Sequence, residues 1–168
     1  MTTTMTVSNA LKLTTRGDRE IVMTRVFNAP RSLVWDAFTK PEMLSRWLCG
    51  PPGWTMPVCQ LANKVGESYR YVWRGPGGEE MGMGGVLREF DPPRRMVASE
   101  KFDQPWYPGE AVGTVELAEE SGRTTLTHTL LYESREARDM VLKSPMEQGV
   151  GMSYNRLEEI LTSAVAQA

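Results

Sequence analysis

A lone imidazole is the sharpest chemical group in this chain of 168 residues, because His128 is its one histidine. In the run TTLTHTLLY, Leu126, His128, Leu130 and Tyr132 alternate with Thr125, Thr127 and Thr129, so a strand there turns His128 to the apolar face. The same alternation through Met96, Ala98, Glu100 and Phe102 turns Glu100 inward, and Glu89 follows from Leu87. A carboxylate near an imidazole orients it as a general base or as a polar anchor for a ligand. The plainer alternative is a half-buried histidine satisfied by one carboxylate or a water, and it stays open. No catalytic residue is assigned; His128 and Glu100 are the only candidates.

The broader signal is aromatic. Tyr69, Tyr71 and Trp73 alternate with Ser68, Arg70, Val72 and Arg74, which places three rings on one face of a strand. Together with Met81, Met83, Phe102 and the loop residues Trp54 and Trp106, they suit the lining of a cavity. Trp47 and Tyr154, each inward on a helix, complete the candidate ligand-binding set with His128. Methionine adapts to irregular ligands through its flexible thioether. The same residues also suit plain core filling.

Other chemistries find no support. Cys49 and Cys59 are too few for a disulfide framework, and a zinc site needs more Cys or His ligands at short spacing. Neither a metal nor a cofactor is expected. The turn RGPGGEE, from Arg74 to Glu80, lacks the Lys-Ser/Thr of a phosphate loop and precedes a strand. No Gly-x-Ser-x-Gly elbow marks a hydrolase. A net charge of -2 leaves no footprint for nucleic acid or an anionic membrane. No apolar run reaches the roughly 20 residues that span a bilayer. The opening MTTTMTVSNALKL has no basic region followed by an apolar stretch, so no secretory signal is expected and the cytoplasm is the default location.

The elements that must position these groups read clearly. A loose arm is expected over residues 1–18 and one α+β domain over 19–166. REIVMTRVF reads as a strand, and Pro30 with RSLVWDAFT as a helix, followed by a second short helix from Pro41 through Trp47. Six strand-like runs follow, between Trp54 and Tyr132, separated by turn residues such as Asp91-Pro92-Pro93 and EESG. A short helix from Ser134 to Leu142 breaks near Ser144-Pro145. From there Met146, Val150, Tyr154, Leu157, Leu161 and Val165 recur at helical steps, giving an amphipathic helix of about 20 residues. Gly149 and Gly151 within it suit either close approach or a bend. A meander of about six to seven antiparallel strands with one apolar face needs a cover, and only this helix is long enough.

The segment RVFNAPRSLVWDAFTKPEMLSRWLCGPPGWT resembles the opening of the activator-of-heat-shock-protein-ATPase-like family, in the START and birch-pollen-allergen-like (SRPBCC) superfamily. Arg25, Ala29-Pro30, Val34-Trp35, Thr39 to Glu42, Trp47 and Gly50-Pro51 carry the likeness. GGVLREFDPPRRMV and the tail MEQGVGMSYNRLEEIL extend it over residues 19–163. Where many relatives have a second aromatic after the tryptophan of the second helix, this chain has Leu48-Cys49. The resemblance implies a helix-grip fold: a curved antiparallel sheet around a long C-terminal helix, with two short helices after the first strand and a hydrophobic cavity between sheet and helix. Arg25 matches a recurrent family position, where an interstrand salt bridge is the expectation and pairing with an acidic ligand the alternative. Three functions are compatible: cytosolic binding of a hydrophobic or aromatic small molecule such as a lipid, a stress-response module acting on a heat-shock ATPase, and a cyclase- or hydrolase-like enzyme using His128.

Overall fold

The computed structural model describes residues 10–167. It opens with a hairpin of β1 (Lys12–Arg16) and β2 (Glu20–Phe27), in which Leu13 lies opposite Met23. This strand corrects part of the loose arm expected over residues 1–18; residues 1–9 of that arm fall outside the described residues. KLTTR carries one apolar residue and no period of its own, so its pairing comes from the edge that β2 offers it. In β2, by contrast, Ile21, Met23, Arg25 and Phe27 are buried at every second position.

Next come α1 (Arg31–Thr39) and α2 (Pro41–Trp47), joined by Lys40 alone. The Pro30 carbonyl accepts the amides of Leu33 and Val34, which starts α1 without a side-chain cap. The extended backbone at Lys40 suits the residue before a proline, and Pro41 opens α2 where no amide hydrogen is needed. The buried Trp47 indole donates to the Ala37 carbonyl at 2.9 Å, pinning the two helices together.

Six strands then run in order: β3 (Thr55–Gln60), β4 (Ser68–Arg74), β5 (Glu80–Asp91), β6 (Arg95–Phe102), β7 (Ala111–Glu120) and β8 (Arg123–Leu131). They complete one antiparallel sheet of eight strands, in the order β1-β2-β8-β7-β6-β5-β4-β3. The expected count of six to seven is thus short by β1, and the two short helices follow the second strand. Each of β3 to β8 pairs with its sequence neighbour, while β2 closes onto β8. At the far edge, β3 carries Pro57, and its register with β4 slips between Thr55 and Val58.

The chain ends with α3 (Arg135–Lys143), capped by Ser134, and α4 (Met146–Ala166). Arg138 is buried and donates to the carbonyls of Gly17 and Glu20, which ties α3 to the β1–β2 turn. α4 lies across the curved sheet. Its Tyr154, Leu157 and Leu161 pack with Phe27, Val115, Leu117 and Leu126, and with Trp35 and Trp47 from the short helices. Fully buried positions in α4 begin only at Ser153; the first seven residues have none. Gly149 has open space where a side chain would stand, and Gly151 meets only Leu11 at 4.0 Å, so neither glycine serves close packing.

Arg25 departs from the expected interstrand pairing. It faces inward from β2 and meets α4, donating to Asn155 Oδ1 at 2.8 Å and to Glu158 Oε2 at 2.6 Å. Its neighbours are helical because its side of the strand is the covered side. Leu157, with 0% exposure, marks the centre of the sheet–helix contact. Leu157→Ala is expected to cost about 3 kcal/mol, the lost transfer energy plus the cavity left behind, measured by urea unfolding.

Candidate functional site

Between α4 and the sheet, the apolar faces do not close. They leave a cavity of about 570 Å³. β4 supplies one wall, where Tyr69, Tyr71 and Trp73 face inward opposite Gly85, Met83 and Met81 of β5. Their rings form a continuous run, with centroids 5.0 Å and 5.7 Å apart. The Trp73 indole donates to the Leu48 carbonyl at 2.6 Å, fixing the loop beyond α2 as part of the lining. Trp47, Trp54 and Tyr154 line the cavity as well. Met81 and Trp106 are among the more exposed apolar residues and also line it, so they mark its rim.

The polar groups gather through two glycines. Along β5 and β6, ladder pairs occur at Gly84 with Lys101 and at Leu87 with Ala98, and the two residues between are skipped. There the strands approach so closely that a Cβ on Gly85 would stand 2.6 Å from the Ser99 carbonyl carbon, and closer still to its oxygen. Buried Ser99 satisfies the groups around this gap. Its hydroxyl accepts the Val86 amide at 3.0 Å, and its carbonyl accepts the Tyr69 phenol at 2.7 Å. The next residue is Glu100, which faces the cavity.

Gly113 provides the second gap. It pairs with Ala98 on one side and Leu130 on the other, so Glu100 and His128 are diagonal neighbours from the flanking strands. A Cβ at Gly113 would stand 3.3 Å from His128 Nε2 and 3.6 Å from Glu100 Oε2. The missing side chain lets both groups reach over one spot. His128 Nδ1 lies 3.3 Å from the Tyr154 hydroxyl, the contact that joins it to α4. Nε2 is the ring nitrogen that stands over Gly113.

Glu89 does not join them. Leu87 pairs with Ala98 and Glu89 with Val97, a bulge of one residue that reverses the alternation. Glu89 is therefore exposed and paired with Arg95 at 3.2 Å.

Burial sets the ionisation of the site. Loss of hydration pushes the Glu100 carboxyl up to about 7, and it holds the His128 imidazole down to about 4. Neutral histidine therefore dominates at neutral pH, with Glu100 near half ionised. The phenols of Tyr69, Tyr71, Tyr107 and Tyr132 are raised, first by burial; the nearby Glu100 charge adds to each, and for Tyr71 it comes after Cys59. Tyr107 and Tyr132 lay outside the sequence-based candidates. Tyr107 sits in the loop between β6 and β7, and its ring meets Tyr132 edge-on at 5.3 Å. Its hydroxyl is buried with no hydrogen-bond partner among the described residues. Of the Trp106-Tyr107 pair, Trp106 is the member expected from the sequence to line the cavity.

Among the described residues, no group of three His, Cys, Asp or Glu side chains is placed to hold a metal ion. No helix among them is long and apolar enough to cross a membrane.

The same fold recurs in solved structures. A crystal structure of a Rhodobacter sphaeroides protein is 30% identical, covers 92% of this chain and 99% of that one, and superposes with a TM-score of 0.87. The sequence model for activator of Hsp90 ATPase homolog 1-like proteins matches residues 28–162. The chain belongs to that family. More distant likenesses show the same fold. A Mycobacterium smegmatis crystal structure is 22% identical, with coverage of 92% and 99% and a TM-score of 0.81. A solution structure of an Arthrobacter aurescens protein is 23% identical, with coverage of 90% and 91% and a TM-score of 0.80. No curated protein matches the chain.

Within this Hsp90-activator-homologue-like domain, the departure at Leu48-Cys49 falls beside the cavity. Leu48 lines it and supplies the carbonyl that holds Trp73. Cys49 Sγ instead meets Arg156 Nη1 of α4 at 3.6 Å. Burial pushes the Cys59 thiol up to about 11, which keeps it protonated at neutral pH.

Proposed function

We propose that this chain binds an apolar or aromatic small molecule in the cavity between sheet and α4. The observation that carries the reading is the cavity itself. Its volume of about 570 Å³ falls within the roughly 300–1,000 Å³ usual for small-molecule sites. Its lining is mainly apolar, with Glu100 of β6 and His128 of β8 as a small polar group. That division suits a ligand with an apolar body and one polar end. Tyr69, Tyr71, Trp73, Met81, Met83 and Phe102 would hold the body, with Trp47, Trp54, Trp106 and Tyr154 around it. Glu100 and His128 act here as anchors.

The test is native mass spectrometry of protein purified from its own host. A small-molecule adduct released by denaturation is the expected result. The purified protein should also enhance the fluorescence of anilinonaphthalene sulfonate, and the extracted molecule should displace the dye. Protein that carries no adduct and leaves the dye dark would sink the reading.

A further inference from the structure

The charge of the lining is one-sided. Glu100 is its single acidic residue, and it contains no lysine and no arginine. The one histidine, His128, is kept neutral by burial. Around Glu100 stand aromatic rings: Phe102, Trp106, Tyr107 and Tyr132 form a chain with centroids 5.0 to 6.2 Å apart. Aromatic faces carry negative charge density, so they attract cations and repel anions.

We infer that the cavity selects an organic cation, with a protonated amine seated against Glu100 and the aromatic chain, and an apolar body toward Tyr71 and Trp73. This inference rests on the binding reading above and assigns the ligand's charge.

Three ligand classes can be weighed on physical grounds. A carboxylate ligand would bring a second negative group into a dry site with no cation to meet it, which is costly. A purely apolar ligand would cover Glu100 while leaving it without a partner. An ammonium gives the carboxylate a counter-charge and gains from the aromatic rings around it. Gly113 has no side chain of its own, so the Glu100 carboxyl and the His128 imidazole both stand over it in the cavity wall.

Proton exchange should accompany the choice. The titratable groups near Glu100 are Tyr69 and Tyr71 from β4, Tyr107 from the loop between β6 and β7, His128 from β8 and Tyr132 just beyond it. The phenols are raised and His128 is lowered, so Glu100 alone titrates near neutrality. An ammonium beside it draws out its proton, and binding then releases a proton to the buffer.

The experiment compares tryptamine, tryptophol and indoleacetate, which share one ring system and differ in charge, by isothermal titration calorimetry. Tryptamine is expected to bind about tenfold or more tightly than tryptophol, with indoleacetate weakest. Repeating the tryptamine titration in buffers of different ionisation enthalpy should reveal proton release. Glu100→Gln keeps the shape and removes the charge, so tryptamine should fall to the level of tryptophol. An unchanged near-ultraviolet circular dichroism spectrum of that variant would report an intact fold around the cavity. Equal affinity for tryptophol and tryptamine in the wild type would overturn the charge inference alone and leave the binding reading in place. Indoleacetate binding as tightly as tryptamine, or Glu100→Gln leaving the order unchanged, would overturn it equally. Failure of all three to bind would remove the binding reading and this inference with it.

Discussion

Gly85→Ala is expected to destabilise the protein by at least about 3 kcal/mol, lowering its melting temperature by about 10 °C. The reason is geometric. The added methyl would run into the backbone carbonyl of Ser99, and a backbone group cannot swing aside as a side-chain tip can. To admit it, β5 and β6 must separate, breaking the Ser99 contacts to the Val86 amide and the Tyr69 phenol. The damage would reach the cavity, since the same segment carries Glu100 inward. Gly149→Ala is the matched control. Its methyl would meet open space on a helix, so it should stabilise by about 0.5–1 kcal/mol. Thermal unfolding followed by circular dichroism checks both. A Gly85→Ala protein melting within a degree of wild type would show that the strands are not locked together there.

The second large effect concerns pH. Glu100 has a folded value of about 7 against 4.5 for the free group, so from pH 7 down to 4.5 the folded state holds a proton the unfolded state lacks. Stability from this group therefore rises as pH falls through that window. His128 has a folded value of about 4 against 6.5, so between those limits the unfolded state holds the extra proton. Stability from His128 is lost as pH falls from 6.5 toward 4.

The two slopes oppose each other over most of the weakly acid range, and in the wild type they should nearly cancel. Single substitutions separate them. Glu100→Gln removes a carboxylate that is expensive to bury above neutral pH, so it should exceed wild-type stability there by on the order of 3 kcal/mol. It should then lose stability as pH falls from 6.5 toward 4. His128→Gln should leave the opposite slope, gaining stability from pH 7 down to 4.5. Urea unfolding across this range, read as differences from wild type, removes the contributions of the surface carboxylates. Three parallel pH profiles would defeat the argument.

How much of this was legible in the sequence follows from where periodicity survives. β4, β6 and β8 alternate without interruption near the cavity, and Tyr69, Tyr71, Trp73, Glu100, Phe102 and His128 all face it. α4 was legible because its apolar steps keep the helical period to Leu161. Glu89 was misplaced because one extra residue in β5 flips every later side chain, and nothing in GGVLREFD marks the insertion. β1 was missed because its pairing comes from its neighbour and not from its own residues. Tyr107 lay in a loop, where no period assigns a direction. Gly113 acts by what it lacks, and only the register of three strands shows which groups meet above it.

Pro57 in β3 has a consequence for encounters between molecules. An open sheet ends in unpaired amides and carbonyls that can template another extended chain. Here the outermost strand contains a residue with no amide hydrogen to offer, and its spacing is broken between Thr55 and Val58. An arriving strand would find its hydrogen-bond ladder interrupted after a few rungs. This margin of the curved sheet is thereby closed to growth by backbone pairing, although no element covers it by sheet pairing. The molecule can keep its sheet open enough to hold a cavity without leaving that border adhesive.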